Sequence, residues 1–284
     1  MHADFVQPTF LGLGGAYTHA SVVILGCPMD DTSSYRPGSR FAPRAVRDGS
    51  LAVETYSPAL HADLEEVPLS DLGDLDIPIG NKERALELIA RTARRIFSDG
   101  KMPLSIGGEH LVSLPLIREC TGHHPGLKVL QLDAHADMRD DYQGERLSHA
   151  TVMRRITEII GQGNLCQVGI RSGTRDEFAF MKGIGSLYGW DPGEISRVRT
   201  ALNGSPCYIS LDLDILDPGI FPATGAPEPG GLTFTQLAET LYALKGLRVV
   251  GIDVNEYNPL LDHSGHCSIT AAKLIRELIL LFGS

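Results

Sequence analysis

The chain has 284 residues, 43% of them hydrophobic and 21% charged, enough apolar content for a large core and too much for a disordered chain. Its formal net charge of −10, from 25 basic and 35 acidic side chains, repels phosphate backbones and draws in cationic small molecules, which argues against a nucleic-acid partner. Five widely spaced cysteines with no C-x-x-C pair, no leader-like N-terminus and no apolar run of about 18 residues predict a reduced, cytoplasmic, non-membrane protein.

Apolar strand-like runs alternate with amphipathic segments along the chain. Ser21–Gly26 reads as the first strand. Asn81 then caps a helix over Arg84–Phe97, with apolar positions at Leu86, Ile89, Ala90, Ala93 and Ile96–Phe97, closed by Gly100. Next come a strand at Pro103–Ile106, a helix at Leu111–Cys120, a strand at Lys128–Leu132 and a helix at Ala150–Ile160. A strand at Leu165–Ile170 precedes a helix at Arg175–Met181. The last elements are a strand at Cys207–Leu211, a helix at Phe234–Leu244, a strand at Arg248–Ile252 and a helix at Ile269–Phe282. Such alternation predicts an α/β fold with a mostly parallel sheet covered on both faces. With no repeat or Ser/Pro-rich linker, residues 1–284 read as a single domain.

In open parallel sheets ligands sit beyond the carboxyl ends of the strands. There the sequence places Gly107-Gly108-Glu109-His110, Asp133-Ala134-His135-Ala136-Asp137 and Asp212-Leu213-Asp214. If the strands ran on, Asp133, His135 and Asp137 would share one side, as would Asp212 and Asp214, and the two glycines would allow a sharp turn before His110. Four carboxylates and two imidazoles without a thiolate suit Mn²⁺ better than structural Zn²⁺. Any one motif alone is often a solvated loop. All three, each following an apolar run, point to a metal centre.

The set resembles the arginase–agmatinase, or ureohydrolase, family. G-G-E-H, D-A-H-A-D and S-L-D-L-D-I-L-D-P match its three metal motifs in order, supported by Gly169-Ile170-Arg171-Ser172, Ala223-Thr224-Gly225, Gly230-Gly231 and Gly251–Glu256. The resemblance implies a three-layer α/β/α arginase-like fold, two Mn²⁺ ions and a homotrimer or homohexamer. It also implies His110, Asp133, Asp137 and Asp212 on one metal, with Asp133, His135, Asp212 and Asp214 on the other. Asp137 would also relay a proton, Glu256 would hold the guanidinium, and His149 would shuttle protons. The implied reaction cleaves a guanidino compound to an amine and urea.

For the substrate, the loop Met138–Arg146 departs from the neutral arginase pattern and looks like that of agmatinases. Its acids Asp140, Asp141 and Glu145 would favour an ammonium tail, which predicts agmatine as substrate and putrescine as product, a step of polyamine biosynthesis; a salt-bridged surface loop is the alternative. Ser172 is also agmatinase-like, and Tyr35–Arg40 resembles a rim loop. His263 and His266 flank the last helix near the Glu256 loop, with the pocket mouth as a lesser option, and His123 and His124 read as a polar loop. Guanidinobutyrate, an aminopropylated agmatine and arginine remain alternative substrates. A deacetylase-type amidohydrolase and a non-catalytic sensor of cationic metabolites remain alternative classes.

Overall fold

The computed structural model describes residues 8–283. Among the described residues ten strands are present: β1 (Val22–Cys27), β2 (Tyr56–Ser57), β3 (Ala62–Asp63), β4 (Leu69–Asp74), β5 (Met102–Gly107), β6 (Lys128–Leu132), β7 (Leu165–Val168), β8 (Leu187–Tyr188), β9 (Cys207–Asp212) and β10 (Val249–Asn255). The helices are α1 (Ala42–Ser50), α2 (Lys82–Ser98), α3 (Ser113–His123), α4 (Val152–Ile160), α5 (Arg175–Ile184), α6 (Pro192–Leu202), α7 (Phe234–Ala243) and α8 (His266–Phe282).

Eight strands form one parallel sheet in the order β4-β1-β5-β10-β9-β6-β7-β8, while β2 and β3 form a small antiparallel pair. The strands are Val-, Ile- and Leu-rich because helices cover both faces. Alternate residues feed two cores. Val22, Ile24, Leu104, Ile209 and Ile252 pack with α1, α6, α7 and α8, whereas Val23, Leu25, Val129 and Tyr208 pack with α2, α3 and α4. Helix α2 shows how a core-facing helix is encoded. Ala85, Ile89, Ala93 and Ile96 fall on one buried stripe, Asn81 Oδ1 accepts the Arg84 N–H at 3.1 Å, and Gly100 leaves with φ 71°.

The chain steps outward from β6 through β7 to β8, then returns to lay β9 on the other side of β6 and runs on to β10. Loops leaving β6 and β9 therefore part in opposite directions, and a crevice opens between them at the carboxyl edge. The four strands whose ends carry the predicted chemistry, β5, β10, β9 and β6, are consecutive in the sheet.

Periodicity does not predict α1, α6, β4 or β8. The β4 sequence, Leu-Ser-Asp-Leu-Gly-Asp, looks like a polar turn, yet it is an edge strand whose Asp71 carboxylate meets the buried Arg47 guanidinium of α1 through two bonds of 2.8 Å. Arg47 also pairs with Asp74. His123 ends α3 and His124 follows it, both against Phe97. Among the described residues no helix is long and apolar enough to cross a membrane.

Removing one partner of a buried charge pair leaves the other uncompensated. Asp71→Ala should therefore destabilise the protein by about 3–5 kcal/mol, read as a lower denaturant midpoint. Glu194→Ala, which frees the exposed Arg197, should shift it by less than about 1 kcal/mol.

Candidate active site

Three strand ends deliver six metal-type side chains to one place. After β5, Gly107 and Gly108 are glycine because of close approach: a Cβ on Gly108 would land on the Met29 carbonyl and one on Gly107 on the Asn255 side chain. The chain bends at Gly108–Glu109, as expected, but neither glycine has positive φ, so close packing is what requires glycine there. After β6, the segment Asp133–Asp137 leaves strand geometry, and Asp137 turns back at φ 52°, held by its carbonyl accepting the Met153 and Arg154 N–H groups. After β9, Asp212 accepts the Asp214 N–H at 2.8 Å and starts a 3-10 turn over Leu213–Ile215. The carboxylates thus converge through capped turns, where extended-strand alternation was expected.

His110 Nδ1 lies 3.1 Å from Asp133 Oδ2, 3.0 Å from Asp137 Oδ2 and 3.4 Å from Asp212 Oδ2. His135 Nδ1 lies 2.7 Å from Asp214 Oδ2 and 3.9 Å from Asp133 Oδ1. Two sets of possible ligand atoms result, His110–Asp133–Asp212 and Asp133–His135–Asp214, each within 4.8 Å of one another. On its far side His110 Nε2 sits 2.9 Å from Ser210 Oγ, which donates to Asp253 Oδ1 at 2.8 Å. Ser210 therefore accepts Nε2–H, and Nδ1 faces the carboxylates without a well-formed hydrogen bond.

This cluster demands positive charge. Burial, then Asp214 and Asp137, pushes Asp133 up to about 7, and burial with the Asp214 and Asp133 charges raises Asp212 well above the carboxylate range. Burial works against charge on both imidazoles, yet the carboxylates prevail. His110 is held well above 6.5, and His135, with Asp214 the largest raising influence, rises to about 11. Asp214 falls to about 2 because His135 and the Ala134 N–H outweigh its burial.

His135, Asp137, Asp212 and Asp214 line a cleft of about 270 Å³, with His110 and Asp133 fully buried and outside its lining. Glu256, at φ 69° beyond β10, lines it, with Oε1 accepting the His110 N–H at 2.8 Å; burial pushes this carboxyl up to about 8. His149 lines the opposite wall, its Nδ1 3.2 Å from Thr32 Oγ1 and its Nε2 3.4 Å from Ser34 Oγ; burial lowers its pKa. Ser172 and Tyr35 also line the cleft. His263 and His266 do not line it, and His266 turns to the Ile220 carbonyl. Thr32, Ser34 and Glu109 were not legible as site residues, because only the fold brings the loop after β1 against His149.

The acidic loop is placed differently from its sequence reading. Asp140 pairs with Arg155 at 2.6 Å and Glu145 with Lys82 at 2.7 Å, while Asp141 takes the Gly144 N–H. None of the three lines the cleft; the loop contributes Arg139 and Tyr142 instead. The salt-bridged surface alternative describes Asp140 and Glu145.

Residues 20–281 match the family described as Arginase family. The chain belongs to the arginase family. It is 42% identical over 269 residues to the agmatinase of Bacillus anthracis, covering 93% of each chain. Its fold matches the agmatine ureohydrolase of Thermoplasma volcanium with a TM-score of 0.87 at 31% identity, covering 98% of this chain and 94% of that one. The proclavaminate amidino hydrolase of Streptomyces clavuligerus matches at a TM-score of 0.91 and 29% identity, with 98% of each chain covered. The eight-stranded parallel sheet is the arginase-like α/β fold, and in sequence the chain is an agmatinase-like ureohydrolase.

Crowded carboxylates oppose folding when no cation lies among them. In chelator-treated protein, Asp212→Asn should raise the unfolding midpoint, because burial and the Asp214 and Asp133 charges disfavour the ionised carboxylate. With Mn²⁺ supplied the order should reverse, the wild type gaining more from the ion than the variant.

Proposed function

We propose that this agmatinase-like ureohydrolase is a two-manganese enzyme that hydrolyses agmatine to putrescine and urea. The observation that carries the metal reading is the buried His110 Nδ1, set among three carboxylates and backed by Ser210 and Asp253. An all-O/N donor set of this composition fits Mn²⁺. His110, Asp133, Asp137 and Asp212 would hold one ion, and Asp133, His135, Asp212 and Asp214 the other. When bound, the ions supply Lewis acidity that makes water a nucleophile near neutral pH.

The side chains divide the remaining work. Glu256 receives the guanidinium: its Oε2 is free of the His110 N–H that occupies Oε1, and an arriving cation restores the charge that burial disfavours. Asp137 Oδ2 takes the proton of the attacking water and returns it to the departing nitrogen. His149 moves protons between the cleft and its opening, a task suited to an imidazole that burial keeps from holding its proton tightly. Agmatine as substrate rests on the 42% identity to an agmatinase. A homotrimer or homohexamer, a single domain and a cytoplasmic location belong to the same reading.

One observation favours a second substrate class. With Asp140 and Glu145 tied up in ion pairs outside the cleft, Arg139 is the loop's charged contribution to its lining, 3.8 Å from Glu177 and over the Tyr142 ring. A cation there suits a carboxylate tail, as in guanidinobutyrate. Urea release by Mn²⁺-loaded protein from agmatine, guanidinobutyrate and arginine side by side separates the two. Agmatine should lead, with about two Mn²⁺ per chain by elemental analysis, and Asp133→Ala should lower turnover more than about 100-fold. Preference for guanidinobutyrate would assign the tail to Arg139, and no urea with two metals bound would overturn the reaction.

A further inference from the structure

The loop that follows β1 contributes a side chain the proposed reaction has not used. Thr32 Oγ1 has three neighbours: Glu109 Oε2 at 2.5 Å, the His149 N–H at 3.0 Å and His149 Nδ1 at 3.2 Å. Glu109 Oε2 also accepts the Thr32 N–H at 2.9 Å, so the two residues are joined by a pair of bonds, and Glu109 is fully buried. The loop is fixed on both sides. Asp30 Oδ2 accepts the Gly38 N–H at 2.7 Å, and the Glu109 N–H donates to the Met29 carbonyl at 2.7 Å.

A hydroxyl has one proton and two lone pairs. Glu109 Oε2 already accepts the Thr32 N–H, so although burial pushes this carboxyl up to about 7, any proton it carries sits on Oε1 and Oε2 takes the hydroxyl proton. One lone pair receives the His149 main-chain N–H. The remaining lone pair faces His149 Nδ1, and that contact is attractive only when Nδ1 carries a proton. We infer that Thr32, oriented by Glu109, is a positioning residue that holds neutral His149 in its Nδ1–H tautomer and leaves the Nε2 lone pair directed toward the cleft. Nε2 then accepts a proton from the cleft side, with Ser34 Oγ 3.4 Å away, and returns it without a ring flip. The inference rests on the reading of His149 as the proton carrier.

The test uses the Mn²⁺-loaded enzyme and the guanidine that turns over fastest, agmatine being expected. Thr32→Val keeps the shape and the Thr32 N–H bond and removes the hydroxyl. It should lower kcat roughly 10–100-fold with KM changed less than about threefold and manganese content unchanged. Thr32→Ser should recover kcat to within about threefold, and Thr32→Val should have no further effect in a His149→Ala background. Neutron diffraction of the loaded wild type should show deuterium on His149 Nδ1 and none on Nε2. A Thr32→Val kcat within about twofold of wild type would overturn the inference, as would an equal loss in the His149→Ala background or deuterium on Nε2 alone. If His149→Ala itself keeps wild-type kcat, the reading of His149 fails and the inference with it; if only Thr32→Val is silent, the fault lies with Thr32 alone.

Discussion

Four buried carboxylates gathered at one sheet edge repel one another far more strongly than they would at the surface, and neutralising that repulsion is the constraint around which the site is built. A parallel sheet makes the gathering possible. Its strands end on the same edge, so β5, β6, β9 and β10 can each send a polar segment into one space from an apolar scaffold. The cores on both faces keep those ends in register, and the charges sit where the scaffold cannot relax away from them.

That tension is stored in visible places. Asp137 and Glu256 both adopt positive φ, a conformation that non-glycine residues tolerate only when the surroundings enforce it. The enforcement is in backbone bonds: the Asp137 carbonyl caps the start of α4, and the Glu256 N–H donates to the Gly108 carbonyl. Each strained residue is thereby locked to an element that also carries the site. Behind His110, the Ser210–Asp253 pair sets ring orientation much as Thr32–Glu109 does behind His149. Each of these two imidazoles is held by a hydroxyl that a carboxylate holds in turn, so its orientation depends on residues that do not line the cleft.

The core strands and the six metal-type residues were legible because burial on both faces writes continuous apolar runs, and because carboxylates after such runs have no structural reason to be there. The paths by which those residues converge were not legible. Alternation put Asp133, His135 and Asp137 on one side of a strand, whereas Asp133 accepting the His135 N–H and the left-handed Asp137 bring them together. Strand β4 was hidden because its polar residues pair with Arg47, a tertiary contact with no local signature. Helix α6 did carry a signal: Asp191 before Pro192, its side chain accepting the Gly193 and Glu194 N–H groups. Its apolar stripe, Ile195, Val198 and Leu202, was too sparse to register.

The two ends of the cleft differ in how tightly sequence determines them. At the metal end every side chain is fixed by a strand terminus and a buried partner, so residue type and position together imply chemistry. At the tail end the walls come from loops, and a loop acid can face either way. Asp140 and Glu145 show the consequence: their charge argued for a cationic tail, yet Arg155 and Lys82 take them out of the cleft, and Arg139 remains inside. Proteins with agmatine and proclavaminate in their names share this fold closely. The sheet therefore fixes where the site stands, while the loop ion pairs set which charges face the cleft.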